Sequence, residues 1–310
     1  MTEELTFFSF GGGQDGTYML YKMIRDQEYK KNFVKGRLVV AMSDPGDEHE
    51  HTYQHVYWIE QLCKENGIEF YFLKASDGFH PNTWQSLISQ FRLNNTIMSM
   101  MFGRSCTDNL KIKPLYNFLN VWIAREYYGE YIPNSTRNRT WIKRFAKDHS
   151  KIKVIIGIAS GEEKRIKISK KKSQFNLFKP VKSVNVWMTK SIEKVYPMIT
   201  EGIDRKMAQD YILVTPWPLP YPSNCMRCPF LSLQEILWLF RFHPDKWYEW
   251  VEIEQNKIDA NTHVENNLGV KGKKLLPEIL KEAIEKFGHL TDQMLTDYKM
   301  SHGHCVKSKY

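Results

Sequence analysis

Short apolar runs alternate with longer amphipathic segments over the first half of this 310-residue chain. The apolar runs are rich in β-branched and aromatic residues, and they predict buried strands at 6–10, 37–42, 68–73 and 153–158. Apolar positions at helical spacing predict helices at 18–24, 52–66, 84–93 and 114–128. Gly67 is expected to end the second helix, and Pro114 to lie in the first turn of the fourth. This alternation is typical of β-α-β units and predicts an α/β fold with a parallel sheet.

The pattern changes after about residue 180, where prolines and helical periodicity replace the strand signals. The segment 214–222 contains four prolines and is predicted to be an extended loop. Helices are predicted at 233–242, 245–255, 277–287 and 291–300. We therefore expect two domains, an α/β domain over 1–200 and a helical, cysteine-bearing region over 201–310.

Composition and charge narrow the class of protein. With 42% hydrophobic and 25% charged residues the chain is typical of a globular protein, and no run of eighteen apolar residues predicts a membrane span. Residues 1–4 carry no basic segment, so no signal peptide is expected. Five irregularly spaced cysteines then favour a reducing, cytoplasmic location. The formal net charge of +9 favours an anionic partner, either a nucleotide or a nucleic acid.

The most informative segment is Ser9-Phe10-Gly11-Gly12-Gly13-Gln14-Asp15-Gly16-Thr17, which lies between the first predicted strand and the first predicted helix. Adjacent glycines let the backbone turn tightly and bring its N–H groups near an anion, and the N-terminus of the following helix adds a favourable dipole. The segment lacks the Gly-Lys-Ser/Thr end of a Walker A loop and the spacing of GxGxxG. It predicts a phosphate-binding loop of another kind, with an ordinary glycine-rich turn as the alternative.

This segment resembles the pyrophosphate-binding PP-loop, Ser-Gly-Gly-x-Asp-Ser, of the adenine nucleotide α-hydrolase superfamily. The Gly-Gly-x-Asp core of the motif is matched by Gly12, Gly13, Gln14 and Asp15. The two serines of the family motif are replaced here by Gly11 and Gly16. Ser9 and Thr17 lie close enough in the sequence to supply hydroxyl groups in their place.

Four further segments resemble, in the right order, one branch of this superfamily, the phosphoadenosine phosphosulfate (PAPS) reductase-like proteins. They are 44–52 (similar to Asp-Thr-Gly-x-Glu-x-x-x-Thr), 106–115 (Cys-Thr…Lys-x-x-Pro-Leu), 157–165 (Gly-Ile…Glu-x-x-Arg) and 223–229 (Ser-x-Cys-x-x-Cys-Pro). Each motif alone is weak, but five in order over residues 9–229 are a specific signal. By this resemblance the chain is identified as a member of the superfamily.

The resemblance implies a fold and a set of roles. The fold is a PP-loop (HUP-like) parallel sheet with helices on both faces, which binds an adenine nucleotide at the carboxyl ends of the strands. The backbone N–H groups of residues 11–16 would hold the phosphates, and Asp15 would hold Mg²⁺ and orient the pyrophosphate. Lys111 and Arg165 would stabilise charge on the α-phosphate, with ordinary solvated basic residues as the alternative. The other expected nucleotide-binding residues are Met42 and Ser43 beside the adenine, and Ser9, Phe10, Thr17, Asp44 and Gly157.

The cysteines suggest a metal site as well as a core thiol. Cys63 lies within a helical pattern and is predicted to be buried in the core. Two others form a CxxC within a proline-bracketed loop, where a metal-binding knuckle is expected. Because a closed site needs four ligands, the predicted set for Zn²⁺ or a [4Fe–4S] cluster is Cys106, Cys225, Cys228 and Cys305. His302 and His304 are alternative ligands, and a redox pair or structural thiols are the alternative interpretations.

Two basic segments favour a nucleic acid as a partner. The segment from Lys164 to Lys172 contains six basic residues, and the segment from Arg137 to Lys147 places basic residues around Trp141. Basic residues interleaved with an aromatic suit a nucleic-acid backbone, and a solvated lysine-rich loop is the alternative. The aromatic residues between 238 and 250 have helical spacing and are predicted to belong to a core.

These features support three functions. The first is an ATP-α-hydrolase that cleaves ATP to AMP and pyrophosphate and adenylates an acceptor, in nucleic-acid modification or sulfur transfer. The second is a thiol-dependent sulfonucleotide reductase with Cys305 as nucleophile, although the C-terminal Glu-Cys-Gly-Leu/Ile-His motif of that family is missing. The third is a module that binds an adenine nucleotide without turning it over.

Overall fold

Five parallel strands form the centre of the molecule. The computed structural model describes residues 2–93, 97, 99, 105–166, 186–264 and 269–302, which we call the described part of the chain. The strands are β1 (Leu5–Ser9), β2 (Arg37–Ser43), β3 (Glu69–Leu73), β4 (Ile152–Ile156) and β5 (Ile192–Val195), in the order β3-β2-β1-β4-β5. Every neighbouring pair is parallel, so the α/β class and the parallel sheet expected from the sequence are confirmed.

The inner strands β1, β2 and β4 are largely buried on both faces because both sets of their alternating side chains are apolar. In the central strand β1, Phe7 and Phe8 point to opposite faces, and both are buried. Phe7 lies opposite Val39 of β2 and Val154 of β4, and the three side chains share one apolar cluster. Phe8 belongs to the cluster on the other face. Burial on both faces explains why these strands read as continuous apolar runs.

Three helices of the N-terminal half pack on the Phe8 face of the sheet. They are α1 (Gln14–Arg25), α2 (Gln27–Phe33) and α3 (Glu50–Glu65). α2 begins after Asp26, whose carboxylate accepts a hydrogen bond from the Tyr29 N–H at 3.0 Å. α3 ends just before Gly67, which has φ +63° and so takes the left-handed conformation expected of a C-terminal glycine.

The opposite face is covered by α5 (Lys113–Tyr128), α6 (Thr140–Asp148) and α7 (Val186–Ser191). α5 continues from a π-helical turn at Thr107–Ile112, and Pro114 lies in its first turn as predicted. Trp122 of α5 and Phe145 of α6 are buried in the same cluster as Phe7. Helices therefore cover both faces, as the resemblance implies.

The C-terminal part is helical, as predicted. Its helices are α8 (Pro197–Thr200), α9 (Arg205–Leu213), α10 (Leu233–Phe242), α11 (Pro244–Ala260), α12 (Leu276–Phe287) and α13 (Asp292–His302). Residues 214–222 contain neither helix nor strand, which agrees with the predicted extended loop. α10, α11, α12 and the short helix α4 (Leu87–Leu93) share a separate apolar cluster around Trp247 and Trp250. Trp247 and Trp250 are therefore core, as predicted, whereas Phe242 and Tyr248 are 41% and 61% exposed, so the prediction is wrong for these two.

The two parts of the chain share a core. Ala208 and Ile212 of α9 pack in the same apolar cluster as Tyr18 and Met19 of α1, although they follow residue 200. Residues beyond 200 thus contribute to the core of the α/β part, and the division into domains at residue 200 stays a prediction. Within the described part, no helix combines the length and apolar character needed to cross a membrane.

Candidate functional site

A crevice lies where the strand order reverses, between β1 and β4. The connection after β1 leads to α1 on one face of the sheet, whereas α7, which precedes β5, packs on the other face. Ligands of open α/β sheets bind at such a switch point, beyond the carboxyl ends of the strands. Gly157 directly follows β4, and a Cβ added to it would lie 3.3 Å from the Cβ of Asp15. Glycine at this position lets the end of β4 approach the start of α1.

A cavity of about 250 Å³ occupies this crevice. The predicted site residues that line it are Ser9, Phe10, Gly11, Gly13, Gln14, Asp15, Gly16, Met42, Ser43, Lys111, Gly157 and Arg165. Lys194, Arg205 and Ser223 also line the cavity, although none of them was a predicted site residue. The structure thus brings the separated motifs to one cavity. Its walls carry more cationic than anionic side chains, which favours an anionic ligand.

The glycine loop, residues 10–13, has a conformation that its neighbours explain. Gly12 has φ +71°, in the left-handed region that favours glycine. A Cβ on Gly13 would lie 3.0 Å from the backbone nitrogen of Ser223, and a Cβ on Gly16 would lie 2.9 Å from the Phe10 ring. Gly16 thus replaces the serine of the family motif at a point where the Phe10 ring leaves no room for a side chain. α1 begins directly after this loop, so its first N–H groups are available to an anion.

Thr17 and Asp44, two predicted nucleotide-binding residues, are absent from the cavity lining, as is Gly12. The Thr17 hydroxyl lies 2.9 Å from His55 Nε2 and is fully buried, so it does not supply the hydroxyl expected in place of the family serine. The Asp44 carboxylate accepts a hydrogen bond from the Gly46 N–H at 2.7 Å. Thr17 thus connects α1 with α3, and Asp44 stabilises the turn after β2.

Asp15 is buried at the start of α1, and one of its oxygens lacks a hydrogen bond. Among the described residues, Asp15 Oδ1 has no hydrogen-bond donor, and it forms an ion pair with Arg205 Nε at 3.6 Å. Burial raises the pKa of Asp15 above its usual range, and the charge of Arg205 opposes this shift. A carboxylate in this state is suited to bind a cation.

Glu162 connects two arginines at the same end of the cavity. Arg165 Nη1 donates to Glu162 Oε2 at 2.5 Å, and Arg205 Nη2 donates to the same oxygen at 2.9 Å. Arg165 comes from the motif after β4, whereas Arg205 opens α9 and lies outside every motif. One signal in the sequence indicates that Arg205 begins a helix. The preceding residue, Asp204, caps α9, and its carboxylate accepts a hydrogen bond from the Met207 N–H at 2.9 Å.

Lys111 reaches the cavity from the π-helical turn and is held there by a buried carboxylate. Its Nζ lies 3.0 Å from Glu48 Oε1, and Glu48 is 1% exposed. Ser223 Oγ donates to the other oxygen, Glu48 Oε2, at 3.2 Å. Glu48 therefore fixes two groups of the cavity wall, Lys111 from the α/β part of the chain and Ser223 from the C-terminal part.

The acidic pair after β2 also holds the CxxC segment. Arg227, which is 2% exposed, forms a buried ion pair with Asp47, and its N–H donates to Asp47 Oδ2 at 2.9 Å. Cys225 pairs with Glu48 through an isolated antiparallel bridge. Two motifs that the sequence shows separately are thus one structural unit.

The Gln14 side chain binds the C-terminal part of the chain. Gln14 Nε2 donates to the Pro220 carbonyl at 3.0 Å and to the Met300 carbonyl at 3.4 Å. Gln209 Nε2 donates to Gln14 Oε1 at 2.8 Å and to the same Met300 carbonyl at 3.1 Å. The Gln14 side chain thus contacts α9, the proline-rich loop and α13. These contacts fix the position of the glycine loop, which Gln14 directly follows.

The cysteines lie in two environments. Cys63 is buried in the sheet core as predicted, and burial raises the pKa of its thiol to about 12. Cys106, Cys225 and Cys228 pack against the apolar cluster of α4 and α10 to α12. The part of the chain that the structure describes contains no group of three His, Cys, Asp or Glu side chains that could hold a metal ion. Cys305 lies outside the described residues, so the described residues alone do not form a metal site.

The predicted nucleic-acid segments are partly engaged within the protein. Arg137 Nη2 donates to two backbone carbonyls at 2.8 and 3.0 Å, so it fastens a loop. Arg144 pairs with Asp148 on α6 at 3.4 Å. Residues 167–172 of the second segment lie outside the described residues, as does His304. A nucleic-acid partner stays a prediction.

Comparison with known proteins adds little to this site. No protein-family model matches the chain, and no curated protein matches it. Among solved structures, the U34-tRNA thiolase NcsA from Methanococcus maripaludis with its [4Fe–4S] cluster aligns with 94% of this chain and 75% of its own. The sequence identity is 13% and the TM-score is 0.36. A likeness this distant carries no argument, so fold and site rest on the residues described above.

Proposed function

We propose that the chain is a PP-loop ATP-α-hydrolase, an enzyme that adenylates an acceptor and releases pyrophosphate. The observation that carries this proposal is the convergence of the glycine loop, Asp15, Gly157 and Arg165 on one cavity at the switch point of the sheet. In the family that the motifs resemble, these positions serve a single adenine nucleotide. The resemblance and the geometry therefore support the same ligand.

The cavity suits a nucleotide with its phosphates at the glycine loop. The first N–H groups of α1 and the cations Lys111, Arg165 and Arg205 favour the polyphosphate. Met42 and Ser43, at the end of β2, remain the proposed neighbours of the adenine. Mg²⁺ would accompany ATP, and the unsatisfied oxygen of Asp15 fits it, because Mg²⁺ prefers carboxylate oxygens.

In the proposed reaction, an oxygen of the acceptor attacks the α-phosphorus of ATP and loses its proton. A bond forms between these atoms, while the bond from phosphorus to the α–β bridging oxygen breaks. Pyrophosphate leaves with that electron pair, and the acceptor carries AMP. Charge grows on the α-phosphate oxygens and on the leaving oxygen as the bonds change. Lys111 and Arg165 are the proposed groups that stabilise it, since Glu48 and Glu162 already hold them in place.

The proposed class of acceptor is a nucleic acid. Modification of nucleic acid, including sulfur transfer, agrees with the net charge of +9 and with the basic segment that begins at Lys164. A metal centre at the four predicted cysteines is a separate prediction, and no step of the reaction depends on it.

Incubation of the purified protein with [α-³²P]ATP, Mg²⁺ and total RNA as a source of acceptor tests the proposal. Equal amounts of released pyrophosphate and transferred or free AMP are expected. Asp15→Asn should lower turnover by about 100-fold or more and leave the melting temperature nearly unchanged. The matched control is Asp210→Asn, because Asp210 is an exposed aspartate that pairs with Lys206 on α9.

The other products decide between the alternatives. Sulfite released from PAPS, without pyrophosphate from ATP, would replace the proposal with a sulfonucleotide reductase. Tight ATP binding without any product would replace it with a nucleotide-binding module. Wild-type turnover in the Asp15→Asn variant would remove Asp15 from the site.

A further inference from the structure

A guanidinium from the C-terminal part enters the phosphate end of the cavity. Arg205, the first residue of α9, lines the cavity with Asp15 and Arg165, and its side chain is 20% exposed. Apolar contacts of Ala208 and Ile212 with α1 hold α9 against the sheet. The position of Arg205 is therefore set by the core and does not depend on a surface loop.

One nitrogen of this guanidinium is hydrogen-bonded to Glu162, and another has no hydrogen bond to a described residue. Arg205 Nη2 donates to Glu162 at 2.9 Å, whereas Nε finds no acceptor among them. A buried N–H without an acceptor costs about 1–3 kcal/mol, so an oxygen brought to this point stabilises the protein. The Asp15 Oδ1 atom, 3.6 Å from Nε, also lacks a hydrogen bond. Two buried polar atoms of opposite charge thus form an ion pair at the cavity wall, and neither has a hydrogen bond to a described residue.

We infer that Arg205 is a direct ligand of the polyphosphate, and that Arg205 and Asp15 together select a metal-bound polyphosphate over a bare one. The inference rests on the proposed nucleotide site. A phosphate oxygen that accepts from Nε lies close to the Asp15 carboxylate, and two anions at that distance repel each other. A divalent cation carried by the polyphosphate turns this repulsion into attraction, since carboxylate and phosphate can share it.

The planar shape of arginine suits this double task. Nη2 of the fork binds the carboxylate of Glu162, and the neighbouring Nε remains for an anion in the cavity. A lysine would offer a single point charge and could not serve both at fixed geometry. The next residue, Lys206, is 74% exposed on its side chain and pairs with Asp210, so it offers a matched control on the same helix.

Calorimetric titration of the full chain with pyrophosphate, ATP and adenosine, each with and without Mg²⁺, tests the inference. Arg205→Gln should weaken the binding of pyrophosphate and ATP about 10- to 100-fold, because a charge-assisted hydrogen bond is lost. The binding of adenosine should not change. Lys206→Gln should bind all three like the wild type, and Arg205→Lys should restore part of the affinity.

Asp15→Asn separates the two roles. In the wild type, Mg²⁺ should tighten pyrophosphate binding. In Asp15→Asn, this effect of Mg²⁺ should disappear, and metal-free pyrophosphate should bind more tightly than to the wild type, because the repelling charge is gone.

Equal pyrophosphate affinity of Arg205→Gln and the wild type would overturn the inference. An equal loss for pyrophosphate and adenosine, together with a lower melting temperature, would also overturn it, because Arg205 would then be structural. Failure of the proposed function looks different: the wild type itself would bind neither ATP nor pyrophosphate.

Discussion

The sheet and the part of the chain that covers its carboxyl end are held by different forces. The sheet core consists of apolar side chains, with Phe8 and Val40 fully buried. The C-terminal cover, residues 214–264 and 269–302, shares an apolar cluster with α4 and adds buried polar groups, such as the ion pair of Arg227 with Asp47. Apolar burial tolerates small changes, whereas a buried charge depends on its partner. The cover is therefore the part that a single polar substitution can release.

The last helix shows the same dependence. Lys299 of α13 is 1% exposed, donates to Asn224 Oδ1 at 3.0 Å and lies 4.8 Å from the Trp238 ring. Burial lowers the pKa of Lys299 to about 8, although nearby acidic groups favour its charged form. The docking of α13 thus relies on a cation that has given up most of its water.

The largest effect is expected from the cysteines of the cover, if they bind the predicted metal. Cys225→Ser with Cys228→Ser should remove the metal and lower the free energy of unfolding by more than about 5 kcal/mol, because structural metal binding contributes folding energy. Cys63→Ser, in the sheet core, should keep the metal. Elemental analysis and thermal melts of protein purified without oxygen or chelator measure both. Absence of zinc and iron from that protein would leave the CxxC as a redox or structural thiol pair.

The next effect tests the buried ion pair directly. Arg227→Met should lower the free energy of unfolding by about 3–5 kcal/mol, because it leaves Asp47 buried without its cation. Lys206→Met, which breaks an exposed pair, should cost less than about 1 kcal/mol. Chemical denaturation measures both variants. Similar stabilities for the two would mean that charge does not hold the cover.

A smaller effect is expected at the glycine loop. Gly12→Val should cost about 1–3 kcal/mol, because Gly12 has φ +71° and an added Cβ would lie 2.9 Å from Met42 Cε. It should also abolish ATP binding, measured by calorimetry. Gly11→Ala is the control for stability alone, since apart from its chain neighbours no described heavy atom lies within 4 Å of a Cβ at that position. Unchanged ATP affinity in Gly12→Val would remove the loop from the proposed site.

Acid should loosen the cover before it loosens the sheet. Burial lowers the pKa of His49, which contacts Trp238 and His243 of the cover, and it lowers the pKa of the neighbouring His51 to about 3. The positive charge of Lys299 adds to both shifts. In the unfolded chain both histidines protonate near pH 6.5, whereas in the folded protein they stay neutral to a lower pH. The free energy of unfolding therefore falls as the pH drops from 6.5 towards 3, by up to about 1.4 kcal/mol per pH unit for each histidine.

Hydrogen exchange at pH 7 and pH 5, corrected for intrinsic rates, measures this difference. The amides of α13 should lose protection at pH 5 while those of β1 keep it. Equal loss in both elements would show that the cover and the sheet open together.

The same contrast explains what could be read from the sequence. The strands β1, β2 and β4 are apolar on both faces, so local pattern predicts them. β5 escaped prediction because Glu193 and Lys194 interrupt its apolar positions, which a strand at the edge of the sheet tolerates. α6 and α9 escaped prediction as well, since each is short and largely polar.

The residues of the candidate site likewise include some that the sequence could identify and some that it could not. The glycine loop and Asp15 are contiguous, so a motif could identify them. Arg205 could not be identified, because it meets Asp15 only after α9 has packed on α1. The glycine at position 16 has a local cause, the Phe10 ring, yet the motif alone gives no reason for it.

The amide of Gln14 has a consequence for the time at which the glycine loop becomes complete. Its partner, the Met300 carbonyl, lies 286 residues further along the chain. At about 5–20 residues per second, synthesis of that stretch takes on the order of 14–57 s. During this interval the residues of β1 and α1 have already been synthesised, but the loop between them lacks the Met300 carbonyl that binds Gln14. The clamp on the glycine loop is therefore completed only after residue 300 has been made.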